Sequence, residues 1–151
     1  MTMCGACERV GTSVLVFWDT NLFIYLFESH GDLSTITHEL WSRMLARGDR
    51  LVTSALTVGE ILAGVGPGRP ELLVTSRSRL LEIATVCDFD DEAATHYAAV
   101  RQDRTIKPPD AIQLACAAKL GVSLYITNDD RLSRRLVPGI PILTSLRSVP
   151  I

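Results

Sequence analysis

Short apolar runs alternate along this chain with longer segments whose apolar residues recur at helical spacing. Residues 14–18 form the first such run, bounded by Gly11 and Asp19, and read as a buried strand. Residues 51–54, 84–87, 124–127 and 140–143 read the same way. Between them the pattern predicts helices. Residues 21–28 are almost wholly apolar, and residues 35–46 place Ile36, Leu40, Met44 and Leu45 on one side and stop near Gly48. A helix over 57–63 is broken by a loop at 64–70 and followed by another at 71–81. Residues 90–104 put Ala93, Ala94, Tyr97 and Val100 on one face. Pro108 and Pro109 stop that helix and start the next, over 110–119, which Gly121 ends; a short helix covers 130–136. Strands that alternate with helices from end to end predict an α/β fold: a three-layer sandwich with a central parallel sheet of about four to five strands flanked by helices. In such sheets ligands bind beyond the carboxyl ends of the strands.

The chain has 151 residues, 47% of them hydrophobic, which suits one domain with a real core. No repeat, low-complexity tract or linker divides it, so residues 14–151 read as one domain behind a flexible leader at 1–13. No apolar run approaches the roughly 20 residues of a membrane span, and the N-terminus lacks the basic-then-apolar layout of a signal peptide, so a cytoplasmic location is expected. Cys87 and Cys116 sit in apolar runs and read as small buried hydrophobes. Cys4 and Cys7 form a lone C-x-x-C without the second pair that a structural zinc site needs, and are expected to be dispensable.

A net charge of −2 excludes a grip on nucleic acid by overall electrostatics. A polyanionic partner would have to meet local basic groups and bound cations. The basic residues are nearly all Arg, Lys107 and Lys119 being the exceptions, and Arg suits bidentate phosphate contact. No Gly-rich loop ending in Lys-Ser/Thr and no G-x-S-x-G elbow occurs, which disfavours a P-loop ATPase and a serine hydrolase.

Four acids fall at strand–helix junctions. Asp19 follows the first strand directly, where an N-cap is the simplest role. Glu60 closes Thr57-Val58-Gly59-Glu60, which has the form of a capping box. Asp110 lies in the first turn after Pro109, and Asp129 two residues past Thr127, both places where an acid suits the helix dipole. Each is explicable alone by capping, but a parallel sheet would gather Asp19, Glu60 and Asp129 near one edge, with Asp110 joining if its helix starts there. Clustered carboxylates repel, and some would hold protons unless a cation neutralised them. An oxygen-only set favours Mg²⁺ or Mn²⁺ over zinc. Such ions activate water and orient a phosphodiester. Lys107, Arg131, Arg134 and Arg135 flank two of the acids and are placed to hold phosphates or, equally, to be solvated. His30, His38 and His96 fall on loop or helix positions away from the acids and read as solvated.

Four stretches together resemble the motifs of PIN-domain nucleases: Val16-Phe17-Trp18-Asp19-Thr20-Asn21, Leu56-Thr57-Val58-Gly59-Glu60-Ile61-Leu62, Pro108-Pro109-Asp110-Ala111-Ile112 with Ala115 and Ala117, and Ile126-Thr127-Asn128-Asp129 with Leu132. Their order and spacing, over about residues 14 to 146, look like the VapC-like toxins of type II toxin–antitoxin pairs. The resemblance implies a PIN-like sandwich and a Mg²⁺- or Mn²⁺-dependent endoribonuclease acting on structured RNA, often tRNA or ribosomal RNA. It also implies a cognate antitoxin laid over the active-site groove, and a homodimer. Carried over by position, Asp19, Glu60 and Asp110 match the three strongest acids, and Asp129, or its neighbour Asp130, the fourth. Thr20 or Asn21, and Thr127, match polar positions that orient the acids or metal-bound waters. The chain departs from the pattern in its longer leader and in Leu132, where an aromatic is frequent.

Other readings of the same residues have specific marks. A phosphatase using Asp19 as nucleophile usually carries a second Asp two residues on, where this chain has Asn21. A PIN-like RNA-binding or scaffold module can lose its acids, whereas all four are present. An RNA-processing PIN nuclease would lack the antitoxin. Lastly, Leu22 to Phe27 are apolar without a break. A helix apolar all round on the outside of a sheet should leave part of itself uncovered for a partner, unless the 35–46 helix with Trp41 packs over it.

Overall fold

The computed structural model of the chain describes residues 13–150; the expected leader, with Cys4 and Cys7, lies outside them apart from Ser13. Five strands form one sheet: β1 (Leu15–Trp18), β2 (Arg50–Ser54), β3 (Thr85–Cys87), β4 (Leu124–Thr127) and β5 (Leu143–Ser145). Their order is β3-β2-β1-β4-β5, and every pairing is parallel. Six α-helices cover it: α1 (Thr20–Phe27), α2 (Asp32–Arg47), α3 (Ala55–Val65), α4 (Pro70–Ile83), α5 (Asp91–Val100) and α6 (Pro108–Leu120). The expected α/β sandwich is therefore the observed one. Among the described residues no helix is long and apolar enough to cross a membrane.

The central strand shows why the chain adopts three layers. Val16, Phe17 and Trp18 are all fully buried, and their side chains alternate between faces. Phe17 joins Val52, Tyr125, Ala93, Val100, Ala111 and Leu114 in one core, beneath α5 and α6. Val16 and Trp18 join Leu22, Phe23, Leu40, Met44 and Leu80 in the other, beneath α1, α2 and α4. Phe17 and Tyr125 stand opposite in register and stack at 4.9 Å, while Trp18 meets the edge of Trp41 at 6.0 Å. Each large side chain so buried contributes about 1.5–3 kcal/mol of hydrophobic stabilisation. A one-residue slip of β1 would exchange its two faces.

Four local expectations are corrected. The last strand is Leu143–Ser145, not 140–143. Ile140 is instead turned back, its N–H bonding the Val137 carbonyl, and Pro141 has no N–H to give the ladder. Helix α5 stops at Val100 rather than 104, because the Asp103 carboxylate takes the N–H and hydroxyl of Thr105 and forms a turn. The chain must then be extended at Lys107 (φ −68°, ψ 152°) before Pro108. The short helix at 130–136 is a single 3-10 turn, Leu132–Arg134. Finally, Thr57 and Glu60 do not form a capping box. Helix α3 starts two residues earlier than expected, and Ser54 caps it by accepting from the Leu56 N–H.

The apolar run of α1 is covered in part, with α2 and Trp41 packed over it as the alternative reading had it. Leu22 and Phe23 are fully buried, and Ile24, Tyr25, Leu26 and Phe27 are half-buried. Helices α2 and α3 pack along it, Trp41 of α2 sits in the same core, and the Arg79 guanidinium of α4 lies over the Phe27 ring at 4.5 Å. No residue of the run belongs to the openly exposed large hydrophobics among the described residues.

Candidate active site

The acids lie where the parallel sheet ends. β1 runs straight into Asp19, whose N–H is held by the Ile126 carbonyl of β4 at 3.1 Å. Its backbone is extended, and one carboxylate oxygen accepts from the Thr20 N–H at 2.6 Å, so Asp19 does cap α1. The other oxygen accepts from the Thr127 hydroxyl at 2.9 Å. Thr127, the last residue of β4 and fully buried, also accepts from the Asp129 N–H at 3.0 Å. One hydroxyl thus ties the carboxylate of Asp19 to the backbone of Asp129. The Asp129 carboxylate in turn accepts from the N–H groups of Arg131 and Leu132 at 2.9 and 3.2 Å, which fixes the turn after β4.

Glu60 joins from the other side. It lies on the second turn of α3, exposed, and one of its carboxylate oxygens accepts from the Thr20 hydroxyl at 3.1 Å. Asp110 comes from the first turn of α6 and shares a cleft of about 200 Å³ with Asp129, Lys107, Arg131, Leu132 and Arg135. Asp130 faces a separate groove with Arg134 and β5, so Asp129 is the acid that belongs with Asp110. Asn21 is exposed and makes no hydrogen bond to the acids; of the pair Thr20 and Asn21, Thr20 is the one in contact. His30 pairs with Glu28 at 2.8 Å, away from the cleft.

Electrostatics register the crowding. Burial pushes the Asp19 carboxyl above its ordinary range; its bonds to Thr127 and Thr20 pull it back, while Glu60 and Asp129 push it further up. Asp110 is raised by burial first, then by the charges of Asp19 and Asp129, with Lys107 opposing. The Tyr125 hydroxyl, fully buried and without a hydrogen-bond partner, is held well above its ordinary value by burial and then by Asp19, Asp110 and Glu60. All four acids therefore share one field.

The donor set suits a hard cation. Every candidate ligand is a carboxylate, and a cation would offset both the burial and the added repulsion that raise Asp19 and Asp110. Among the described residues no three His, Cys, Asp or Glu side chains already form a closed metal-holding group. The arrangement thus fits a cation held by one or two carboxylates and keeping several waters, as Mg²⁺ does, rather than a rigid cage.

Sequence reasoning missed the layer beneath the acids. Gln113, 2% exposed, sends its amide nitrogen to the hydroxyls of Thr57 (2.8 Å) and Thr20 (3.2 Å), and its carbonyl oxygen accepts from Ser54. Thr53 and Thr57 complete this buried cluster, 2.8 Å apart. The available signal was a lone amide among the otherwise apolar residues 111–118.

Comparison with known proteins adds an independent line. The family model described as the PIN domain matches residues 16–135. The chain is 26% identical over 121 residues to Ribonuclease VapC23 of Mycobacterium tuberculosis (strain H37Rv), covering 79% of this chain and 96% of that protein. Solved structures also resemble its fold, two of them as follows. One is VapBC2 from Rickettsia felis bound to a DNA fragment from their promoter, with TM-score 0.68, 20% identity, 87% of this chain and 98% of that one. The other is DNA-bound VapBC from Salmonella typhimurium, with TM-score 0.67, 23% identity, and coverage of 88% and 98%.

Proposed function

The chain belongs to the PIN domain family, and from that premise we propose that it is a Mg²⁺- or Mn²⁺-dependent endoribonuclease, the toxin of a type II toxin–antitoxin pair. The observation that carries the reading is the junction of β1 and β4, where Thr127 joins Asp19 to Asp129. Thr20 joins the Asp19 cap to Glu60 on the same side of the sheet. Asp19, Glu60, Asp110 and Asp129 would hold the metal, one or two of them directly and the others through its waters. When bound, the ion lowers the pKa of water and neutralises charge on the phosphodiester.

The chain's own groups do the rest. Thr127 and the Thr20 N–H orient Asp19 so that its two oxygens are fixed before substrate arrives. Lys107, Arg131 and Arg135 line the cleft beside Asp110 and Asp129 and offer N–H donors to substrate phosphates, which compensates for the net acidity of the chain. The reaction class proposed is hydrolysis of RNA by water, with tRNA or ribosomal RNA as the substrate. The likeness to Ribonuclease VapC23 supports the RNA substrate, and the likeness to VapBC assemblies supports a cognate antitoxin as partner. A homodimer and a cytoplasmic location belong to the same proposal.

The test is RNA cleavage by the purified protein with Mg²⁺ or Mn²⁺, with and without chelator, beside Asp19→Asn. Asparagine keeps the cap and the shape but removes the charge. Cleavage that needs the metal and disappears in Asp19→Asn is the expected result. Wild-type cleavage by the variant, or none by the native protein freed of any inhibitor, would overturn the assignment.

A further inference from the structure

Gln113 stands one turn beyond Asp110 on α6, on a stretch otherwise buried as apolar packing. Burying a carboxamide is costly unless each of its polar atoms is paired. All are paired, and the pairing has a direction. The Thr53 hydroxyl lies 3.0 Å from the Trp18 carbonyl and 2.8 Å from the Thr57 hydroxyl. A carbonyl only accepts, so Thr53 is the donor to Trp18, and it is also the donor to Thr57, its one proton shared between the two. Ser54 gives its proton to the Gln113 carbonyl oxygen. The two amide protons of Gln113 then go to Thr57 and Thr20. Thr20 is left with one proton and two neighbours, the Thr57 hydroxyl at 3.2 Å and Glu60 at 3.1 Å. The carboxylate is the stronger acceptor, since a hydrogen bond to a charged group is roughly twice as strong as a neutral one.

We infer that Gln113 is a positioning residue for the metal-binding acids: by donating to both Thr57 and Thr20 it turns the Thr20 hydroxyl outward and holds the Glu60 carboxylate beside Asp19. The inference rests on the nuclease reading of the cleft. Without Gln113, Thr57 loses its amide donor and becomes the alternative target for the Thr20 proton, and Glu60 is released. Glu60 is the acid most in need of such a tether, being on a helix surface and exposed while Asp19 is fixed at two oxygens.

The experiment measures Mn²⁺ binding by the metal-free protein, using the spin-resonance signal of free Mn²⁺, with thermal melting as a separate readout of folding. Gln113→Met and Gln113→Glu both keep the length of the side chain; the first removes every hydrogen bond and the second removes the paired amide donors. Either folded variant is expected to bind Mn²⁺ about 10–100-fold more weakly, as for other residues that orient metal ligands. In a Thr20→Val background the same Gln113 change should cost nothing more, because the link it acts through is already gone. Thr20→Ser, which keeps the hydroxyl, should restore binding. Unchanged Mn²⁺ affinity in a folded Gln113 variant would overturn the inference. So would a second, additive loss in the Thr20→Val background, which is what a merely structural glutamine would give. If native protein binds no Mn²⁺ at all, the metal-dependent reading itself fails, and the positioning role with it.

Discussion

Replacing Thr127 by valine removes one hydroxyl and little else. Thr127 is fully buried at the end of β4, and its hydroxyl donates to Asp19 at 2.9 Å and accepts from the Asp129 N–H at 3.0 Å. The Asp129 N–H belongs to an exposed residue and can turn to water, so its loss costs little. The bond to Asp19 is different, because its acceptor is charged. Hydrogen bonds to charged groups contribute about 1.5–3 kcal/mol, and a figure of about 2 kcal/mol is expected for metal-free protein at pH 7. For a domain of this size that lowers Tm by roughly 4–8 °C. The effect should depend on pH with a definite sign. Burial holds the folded pKa of Asp19 above the ordinary 3.8, and the Thr127 bond pulls it down. Without that bond the folded pKa rises further. The difference between variant and native protein is therefore fully present above both folded values. It closes as pH falls through them towards 3.8, because the variant takes up its proton first and recovers stability sooner. Urea unfolding in chelator at pH 7 and at successively lower pH measures this directly. A cost that is absent at pH 7, or that stays constant as Asp19 is protonated, would show that Thr127 is only packing.

Other changes have equally definite outcomes. Ser54→Ala should cost about 2–3 kcal/mol in urea unfolding, because it removes the cap of α3 and leaves the buried Gln113 carbonyl oxygen unpaired. Gly139→Ala should cost about 3 kcal/mol, since Gly139 has φ +83° and a new Cβ would stand 2.9 Å from that of Ala118. Gly48→Ala, at φ +73° with open space around it, should cost only about 1 kcal/mol. Cys87 and Cys116 should ignore a thiol reagent at pH 8 until denaturant is added, because both are buried and burial pushes the Cys116 thiol up to about 12.

The parts of this molecule that were legible in its sequence are those that local pattern determines. Residues 14–18 and 124–127 are short, apolar and bounded by polar residues, and the two strands sit side by side at the centre of the sheet. Asp19, Asp110 and Asp129 were visible because each closely follows such a run or a helix-starting proline, and Glu60 because it lies in the helix that follows β2. What sequence concealed depends on partners far away. Thr57-Val58-Gly59-Glu60 has the form of a capping box, yet Thr57 is drawn inward by Gln113, 56 positions on, while Ser54 serves as the cap. Ile140 is as apolar as a strand residue, but the tight approach of Gly139 to Ala118 and the proline at 141 delay pairing until Leu143. Asp129 and Asp130 are chemically identical neighbours, distinguished only by the turn that aims one at the cleft.

The placement of β4 beside β1 has a consequence for how the protein is born. Asp19 and Thr127 are separated by 108 positions in the chain, and the strand that completes the centre of the sheet is the fourth to be made. While a ribosome is still extending the chain, Asp19 and Glu60 emerge early, without Asp110, Thr127 or Asp129. The cleft shared by Asp110 and Asp129 does not exist until β4 and the turn after it have been made. A translating ribosome is itself largely RNA, so if the chain cuts RNA as proposed, the order of synthesis would keep its site unformed until β4 is made. Messages broken before the codons for β4 would yield only inert fragments.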